Sequence, residues 1–330
     1  MKALPWPLLA LCLFLSPLAH AADDAAAPTE EANDGSASTQ YALRYRFEEG
    51  ETVGSTVVHL VTVETRIQGT TQVAKTRSAA TKVWKIESVA ENGDVTFVHS
   101  VADVDMWQSV SGRQVIRYNS REDEKAPPGY EHVAESVGVP LATVTIDPSG
   151  REKKRKDNRA QFNPGIGDLT VPLPEEPVAV GHQWTIPEDV PLRLPGEPIR
   201  RIKTRQLYTL RKVQTGVATI DVRTEVLTPI EDPAIEAQLV QRLQEGTIKF
   251  DVDAGRLLSR QMDMDKTVIG FNGAESQMDY LARFTEEMLS GDEVKPAEQS
   301  TPKPEGKVAG PARPAASTAG KADEEAKRKR

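Results

Sequence analysis

Paired carboxylates are the side chains of this sequence best spaced for chemistry. Asp103-Val104-Asp105, Asp251-Val252-Asp253 and Asp263-Met264-Asp265 each place two acids on one face of a strand, about 7 Å apart. Oxygen ligands at that separation could hold calcium, and two carboxylates could divide acid–base work. None of the three runs on into a calcium loop with its closing glutamate. Simple alternation gives the wet face of a half-buried strand the same acids, and Asp253 also opens a turn, where aspartate is favoured. A structural role outweighs a catalytic or metal-binding one at all three.

The remaining reactive side chains point the same way. His59, His99, His132 and His182 form no pair at ligand spacing and no His-Glu-x-x-His run, so a zinc site is disfavoured. His99 shares a face with Phe97 and Val101, and His59 lies within Val57–Val61; each reads as a hydrogen-bonded core histidine. There is no Gly-x-Ser-x-Gly elbow. Gly165-Ile166-Gly167 is too short to cradle a phosphate and reads as a loop. Trp84, Trp107 and Trp184 could line a ligand groove, but Trp84 alternates with Ile86, which favours core. No catalytic, cofactor or metal residues are assigned, and the reading leans away from an enzyme; a hydrolase with a dispersed acidic site is kept as an alternative.

One basic run stands out. Arg151, Lys153, Lys154, Arg155 and Lys156 follow the turn at Gly150 and are the candidate contact for an anionic polymer or lipid headgroup. The competing reading is a sheet edge protected by lysines. The formal net charge of −8 argues against nucleic acid as a partner.

These residues need elements to hold them, and the dominant period is two. Tyr41, Leu43, Tyr45 and Phe47 alternate as a half-buried strand. Trp84 and Ile86 lead to Asn92-Gly93 and then Val95, Phe97, His99 and Val101, which predicts a hairpin. A strand through Ile248, Phe250 and Val252 turns at Asp253-Ala254-Gly255 and continues through Leu258, Met262, Met264 and Val268. Met278–Phe284 returns as its partner, with a helix over Met278–Met288 as the other reading. A helix is expected after Asp232 as cap and Pro233 at its first position, with Ile235, Leu239 and Leu243 as its stripe and Gly246 as its end. A shorter helix is expected around Tyr130 to Val137.

Trp84-x-Ile86-x-x-Val89 before Asn92-Gly93 matches Tyr208-x-Leu210-x-x-Val213 before Thr215-Gly216. Val144-x-Ile146-Asp147 through Gly150-Arg151 matches Phe250-x-Val252-Asp253 through Gly255-Arg256. These pairs predict an internal repeat over 41–160 and 178–289. The joining linker is rich in proline and cannot be a central strand.

The ends are different in kind. Lys2, the apolar stretch Leu8–Leu15 and Ala19-His20-Ala21 have the order of a secretory signal over 1–21, cut after Ala21. Cys12, the one cysteine, sits inside that stretch, so lipidation is disfavoured and the mature chain forms no disulfide. Residues 22–40 carry five acids and no base and are expected to be disordered, as is the tail 291–330. No later segment reaches the roughly 20 apolar residues of a membrane helix. The expectation is an exported protein, periplasmic or extracellular, folded over 41–289 and not integral to a membrane.

Tyr41-x-Leu43-x-Tyr45-x-Phe47, Val171-Pro172-Leu173-Pro174 and Val180-Gly181-His182-Gln183-Trp184, with hairpins turning on Asp-x-Gly, resemble uncharacterised exported bacterial proteins of a domain family of unknown function. At fold level the layout also resembles the half-barrels of periplasmic lipoprotein carriers. The expected fold is mainly β (α+β): a curved antiparallel sheet or half-barrel, duplicated, with one or two helices on its concave side. The expected function is non-catalytic binding of an apolar small molecule, lipid or envelope component in the cleft of that sheet. An envelope-associated structural module is the alternative.

Overall fold

Alternation of apolar and polar residues sets most of the strands, and a computed structural model describes residues 39–158, 168–194 and 198–290. The signal over 1–21, the linker up to residue 38, the Gly165–Gly167 loop and the tail 291–330 lie outside the described residues. The first half carries β1 (Gln40–Tyr41), β2 (Thr52–Ile67), β3 (Thr70–Val89), β4 (Val95–Val110), β5 (Ile116–Asn119), α1 (Glu131–Ser136), β6 (Pro140–Ile146) and β7 (Glu152–Asp157). After β8 (Val178–Ala179) come β9 (Gln183–Leu192), β10 (Arg200–Gln214), β11 (Val217–Val226), α2 (Pro233–Leu239), β12 (Glu245–Asp251), β13 (Arg256–Ile269) and β14 (Ser276–Met288).

Twelve strands form one curved antiparallel sheet that does not close into a barrel. Its order is β7-β6-β4-β3-β2-β14-β13-β12-β11-β10-β9, with β5 beside β4. The two halves therefore extend a single sheet, meeting where β14 pairs with β2 from Ser276↔Ile67 to Met288↔Ser55. Met278–Met288 is strand throughout. Pro187 and Pro191 lie in β9, an edge strand, where a missing N–H costs no ladder bond.

Each half runs as hairpin, helix, hairpin, and the irregularities recur too. β3 bulges between Ile86 and Ser88, and β10 between Leu210 and Lys212, at matching places in the aligned segments. The β6–β7 and β12–β13 pairings each slip by one residue just after their turn. Geometry aligns Asp147 with Asp251, two residues before the match read from sequence. Asp147 Oδ1 accepts from the Ser149 and Arg151 N–H groups, and Asp251 Oδ1 accepts from Ala254 N–H.

Both helices lie on the inner face. Val133 of α1 packs with Ala80, Val101, Val104 and Tyr118. Asp232 caps α2 by accepting from Ala234 N–H at 2.8 Å, and Pro233 takes the first turn. Ile235 and Leu239 bury against Val190, Leu192 and Ile202. A 3-10 turn over Val240–Arg242 ends the helix, so Gly246 does not. Gly246 sits in β12, where a Cβ would stand 1.9 Å from the Gln261 carbonyl oxygen.

The opening segment departs from expectation. Only Gln40 and Tyr41 pair as strand, with Ala179 and Val178 of β8. Leu43 and Tyr45 do point inward and are buried, yet the segment crosses the sheet's inner face as a plug. Tyr45 N–H donates to Pro148 O (2.8 Å) and Arg46 N–H to Gly255 O (3.2 Å), so the chain spans the two matching turns. Gly150 and Gly255 have φ of +80° and +68°, and a Cβ on either would collide with the Tyr45 ring or the Arg44 carbonyl. The proline-rich linker completes the plug with Val171, Leu173 and Val178. Val171 N–H donates to Tyr45 Oη (3.0 Å), and Trp184 Nε1 donates to Pro172 O (3.0 Å).

Candidate functional site

Beyond the plug, the inner face is open. The register sets His59, Phe284 and Met262 in one row across β2, β14 and β13, with Val61, Ala282 and Met264 in the next row. Tyr280 follows beside Val63. Ala237 and Val240 dock on Val268, Met278, Tyr280 and Ala282, which brings the turn after α2 over these rows. The space left between is a half-open groove of about 330 Å³, lined by His59, Met262, Met264, Tyr280, Phe284 and Arg242. That volume is at the lower end of small-molecule sites, roughly 300–1,000 Å³.

The groove also carries charged and polar groups, with Asp168, Asp263, Arg242 and Arg260 beside Gln241 and Gln244. The His59 ring lies edge-on to Phe284 with centroids 6.1 Å apart, and burial lowers its pKa, leaving a neutral imidazole at neutral pH. Burial raises the Tyr280 phenol, with Arg242 opposing. His59 is therefore a half-buried groove wall, where sequence reading placed it in the core. His99 is buried as expected, but neither ring nitrogen has a hydrogen bond of normal geometry; the Val83 backbone offers partial compensation. Burial, reinforced by Lys82, takes His99 down to about 3.

Where groove and plug meet, a charged cluster lies buried. Glu286 accepts from Ser55 Oγ at 2.7 Å and pairs with Arg260 Nε at 2.6 Å and with Lys82 Nζ. Arg260 Nη2 donates to Asp168 O at 2.6 Å and its guanidinium lies 4.8 Å from the Phe284 ring centre, tying linker to sheet. Burial pushes the Glu286 carboxyl up, but Lys82 and Arg260 outweigh it and hold the group below its ordinary value. Burial brings Lys82 down to about 8 against the pull of Glu286. A void of about 30 Å³ beside Lys82 and Trp84 has room for no more than water-sized occupants.

Sequence reasoning missed this cluster, although the signal was present. Lys82 alternates in register with Trp84 and Ile86, Glu286 with Ala282 and Phe284, and Arg260 with Met262 and Met264. Period two alone places all three charges on the apolar face.

The paired acids are engaged with arginines, although Asp263 also lines the groove. Asp103 binds Arg121, Asp105 binds Arg77 and Asp263 binds Arg283, each at 2.6 Å. The Arg283 hydrogen bond, against the cost of burial, lowers the Asp263 pKa. Among the described residues no group of three or more His, Cys, Asp or Glu is placed to hold a metal ion. Trp84 stacks on Phe97 at 4.3 Å and Trp184 on Tyr208 at 5.4 Å.

Lys153, Lys154, Arg155 and Lys156 lie in edge strand β7, with Arg151 just before it. Lys153 pairs with Asp94 at 2.9 Å, Arg151 with Glu175, and Arg155 with Glu152 and Asp157 at 3.5 Å. Lys154 and Lys156 are exposed. The structure does not bring this run to the groove lining.

No family model and no curated protein matches the chain. Several solved structures show weak similarity to it. Lipovitellin is 11% identical over 74% of this chain at a TM-score of 0.41, and this chain spans 26% of the lipovitellin chain. An outer membrane channel from Pseudomonas putida F1 is 8% identical, covering 74% of this chain and 98% of the channel at a TM-score of 0.22. A DUF1329 family protein from Desulfovibrio piger is 12% identical, covering 71% and 84% at 0.15. At such scores function must be argued from the groove itself.

Proposed function

We propose that this is an exported, non-catalytic binding protein that takes a small apolar or amphiphilic ligand into the groove between β2, β14, β13 and the turn after α2. The observation that carries the reading is partial filling. The plug covers one part of the sheet's inner face and leaves the groove of about 330 Å³ open, walled by Met262, Met264 and Phe284. Thioethers and aromatic faces adapt to apolar ligands without demanding one shape. Export rests on the order of Lys2, Leu8–Leu15 and Ala19–Ala21. No helix among the described residues is long and apolar enough to cross a membrane.

The uncharged dye Nile red tests the groove. The folded protein should brighten it and shift its emission to the blue, and His59→Trp and Met264→Trp, which fill the space, should each abolish the effect. A wild-type protein that leaves the dye in water overturns the proposal.

A second reading has its own observation, the exposed Lys154 and Lys156 on an edge strand, and makes β7 a contact for an anionic surface. The double variant Lys154→Glu, Lys156→Glu should then lose salt-sensitive binding to vesicles containing anionic lipid. Binding that is unchanged, or absent in the wild type, removes this reading.

A further inference from the structure

Two hydrogen-bond donors at the α2 end of the groove have no partner among the described residues. Tyr280 is 6% exposed, lies in the middle of β14, and its hydroxyl makes no hydrogen bond there. Arg242 closes the 3-10 turn, lines the same groove, and forms no ion pair. Both side chains line the same groove. The other arginine of the lining, Arg260, is neutralised by Glu286. The phenol opens into the groove, and the arginine of the same lining adds a charged fork of donors. Such a pair fits an oxyanion: the guanidinium supplies charge and two parallel donors, and the phenol a third.

Resting on the proposed binding role, we infer that the ligand is a single-chain amphiphile with a terminal oxyanion. Its chain lies along Met264, Met262 and Phe284 and its head is held by Arg242 and Tyr280. Three acids share this neighbourhood, of which Asp263 lines the groove and is paired with Arg283. Asp168 lines the groove, and Glu188 on β9 feels both Asp168 and Arg242. Burial first, then Asp168, raises the Glu188 pKa, with Arg242 opposing.

Displacement of bound Nile red separates head from chain. Decanoate and decyl phosphate should displace the dye from the full mature protein at concentrations about tenfold lower than decanol, and decyltrimethylammonium should be weakest. Arg242→Gln should remove that advantage and leave decanol unchanged. Tyr280→Phe, which keeps the ring and its packing, should weaken decanoate severalfold and decanol not at all. Preference for decanoate over decyl phosphate identifies a carboxylate head, and the reverse a phosphate; either supports the oxyanion. If decanol or the ammonium binds as well as decanoate, or if the advantage survives in both variants, the inference is overturned while the groove stands as an apolar site. If the dye binds but no probe displaces it, the inference is overturned; if the dye itself does not bind, the proposed function falls with it.

Discussion

The plugged and open parts of one inner face share strands but differ in what covers them. At the plug, Leu43, Tyr45, Val171 and Leu173 fill the space between β10, β11, β12 and the matching turns. At the groove, the same sheet continues through His59, Met264 and Tyr280 with only the turn after α2 above it. The plug is stitched by backbone hydrogen bonds and a buried ion cluster, whereas the groove keeps donors without partners. Close packing is concentrated on one side and open space on the other.

That contrast is broken most severely at Glu286. Glu286→Leu leaves Lys82 and Arg260 buried without their counter-charge, and stability should fall by about 3–5 kcal/mol in denaturant unfolding. A loss below 1 kcal/mol, on the order of a surface change, would mean the cluster is wetter than its burial implies. Leu173→Ala, deleting a side chain with no exposed surface, should cost roughly 2–5 kcal/mol. Equal stability would show that the linker does not hold the plug in solution.

The next effect is one of pH. The His99 pKa is depressed to about 3 in the folded protein, against an ordinary 6.5. Between those values the unfolded chain takes up a proton that the native ring refuses, so stability should decline as pH falls from about 6.5 toward about 3. His99→Gln should flatten that limb. An unchanged profile would place the lost protons elsewhere, with Glu286 next in line: its depressed pKa contributes stability above its unfolded value that is lost as pH falls through the folded one. At the open side, His59→Trp should move stability by less than about 1 kcal/mol while abolishing Nile red binding. A large destabilisation there would make the groove part of the core and dissolve the contrast.

Much of the scaffold was legible. Alternation located the hairpin at Asn92-Gly93 and the long strands of the second half, and Asp232-Pro233 marked α2 because cap and first-turn chemistry are local. The plug was less so. Tyr41 to Phe47 has a strand's alternation, but ladder pairing depends on a neighbour, and here the neighbours are two turns and a linker. Val171 and Leu173 sit among prolines that read only as an extended linker outside any central strand, yet they are core. The groove depended on which strands adjoin, and β2 beside β14 is a pairing that no local pattern announces.

That pairing also governs how the chain comes together. The centre of the sheet joins the first long strand to the last, and Ser55 hydrogen-bonds Glu286 across 231 residues. Contacts so distant along the chain close late, because loop entropy must be overcome before they form. Until β14 arrives, β2 and β13 each present a bare edge open to pairing with another molecule. An unfinished chain therefore carries exposed strand edges, and clipping away its final strand should make the protein prone to aggregate.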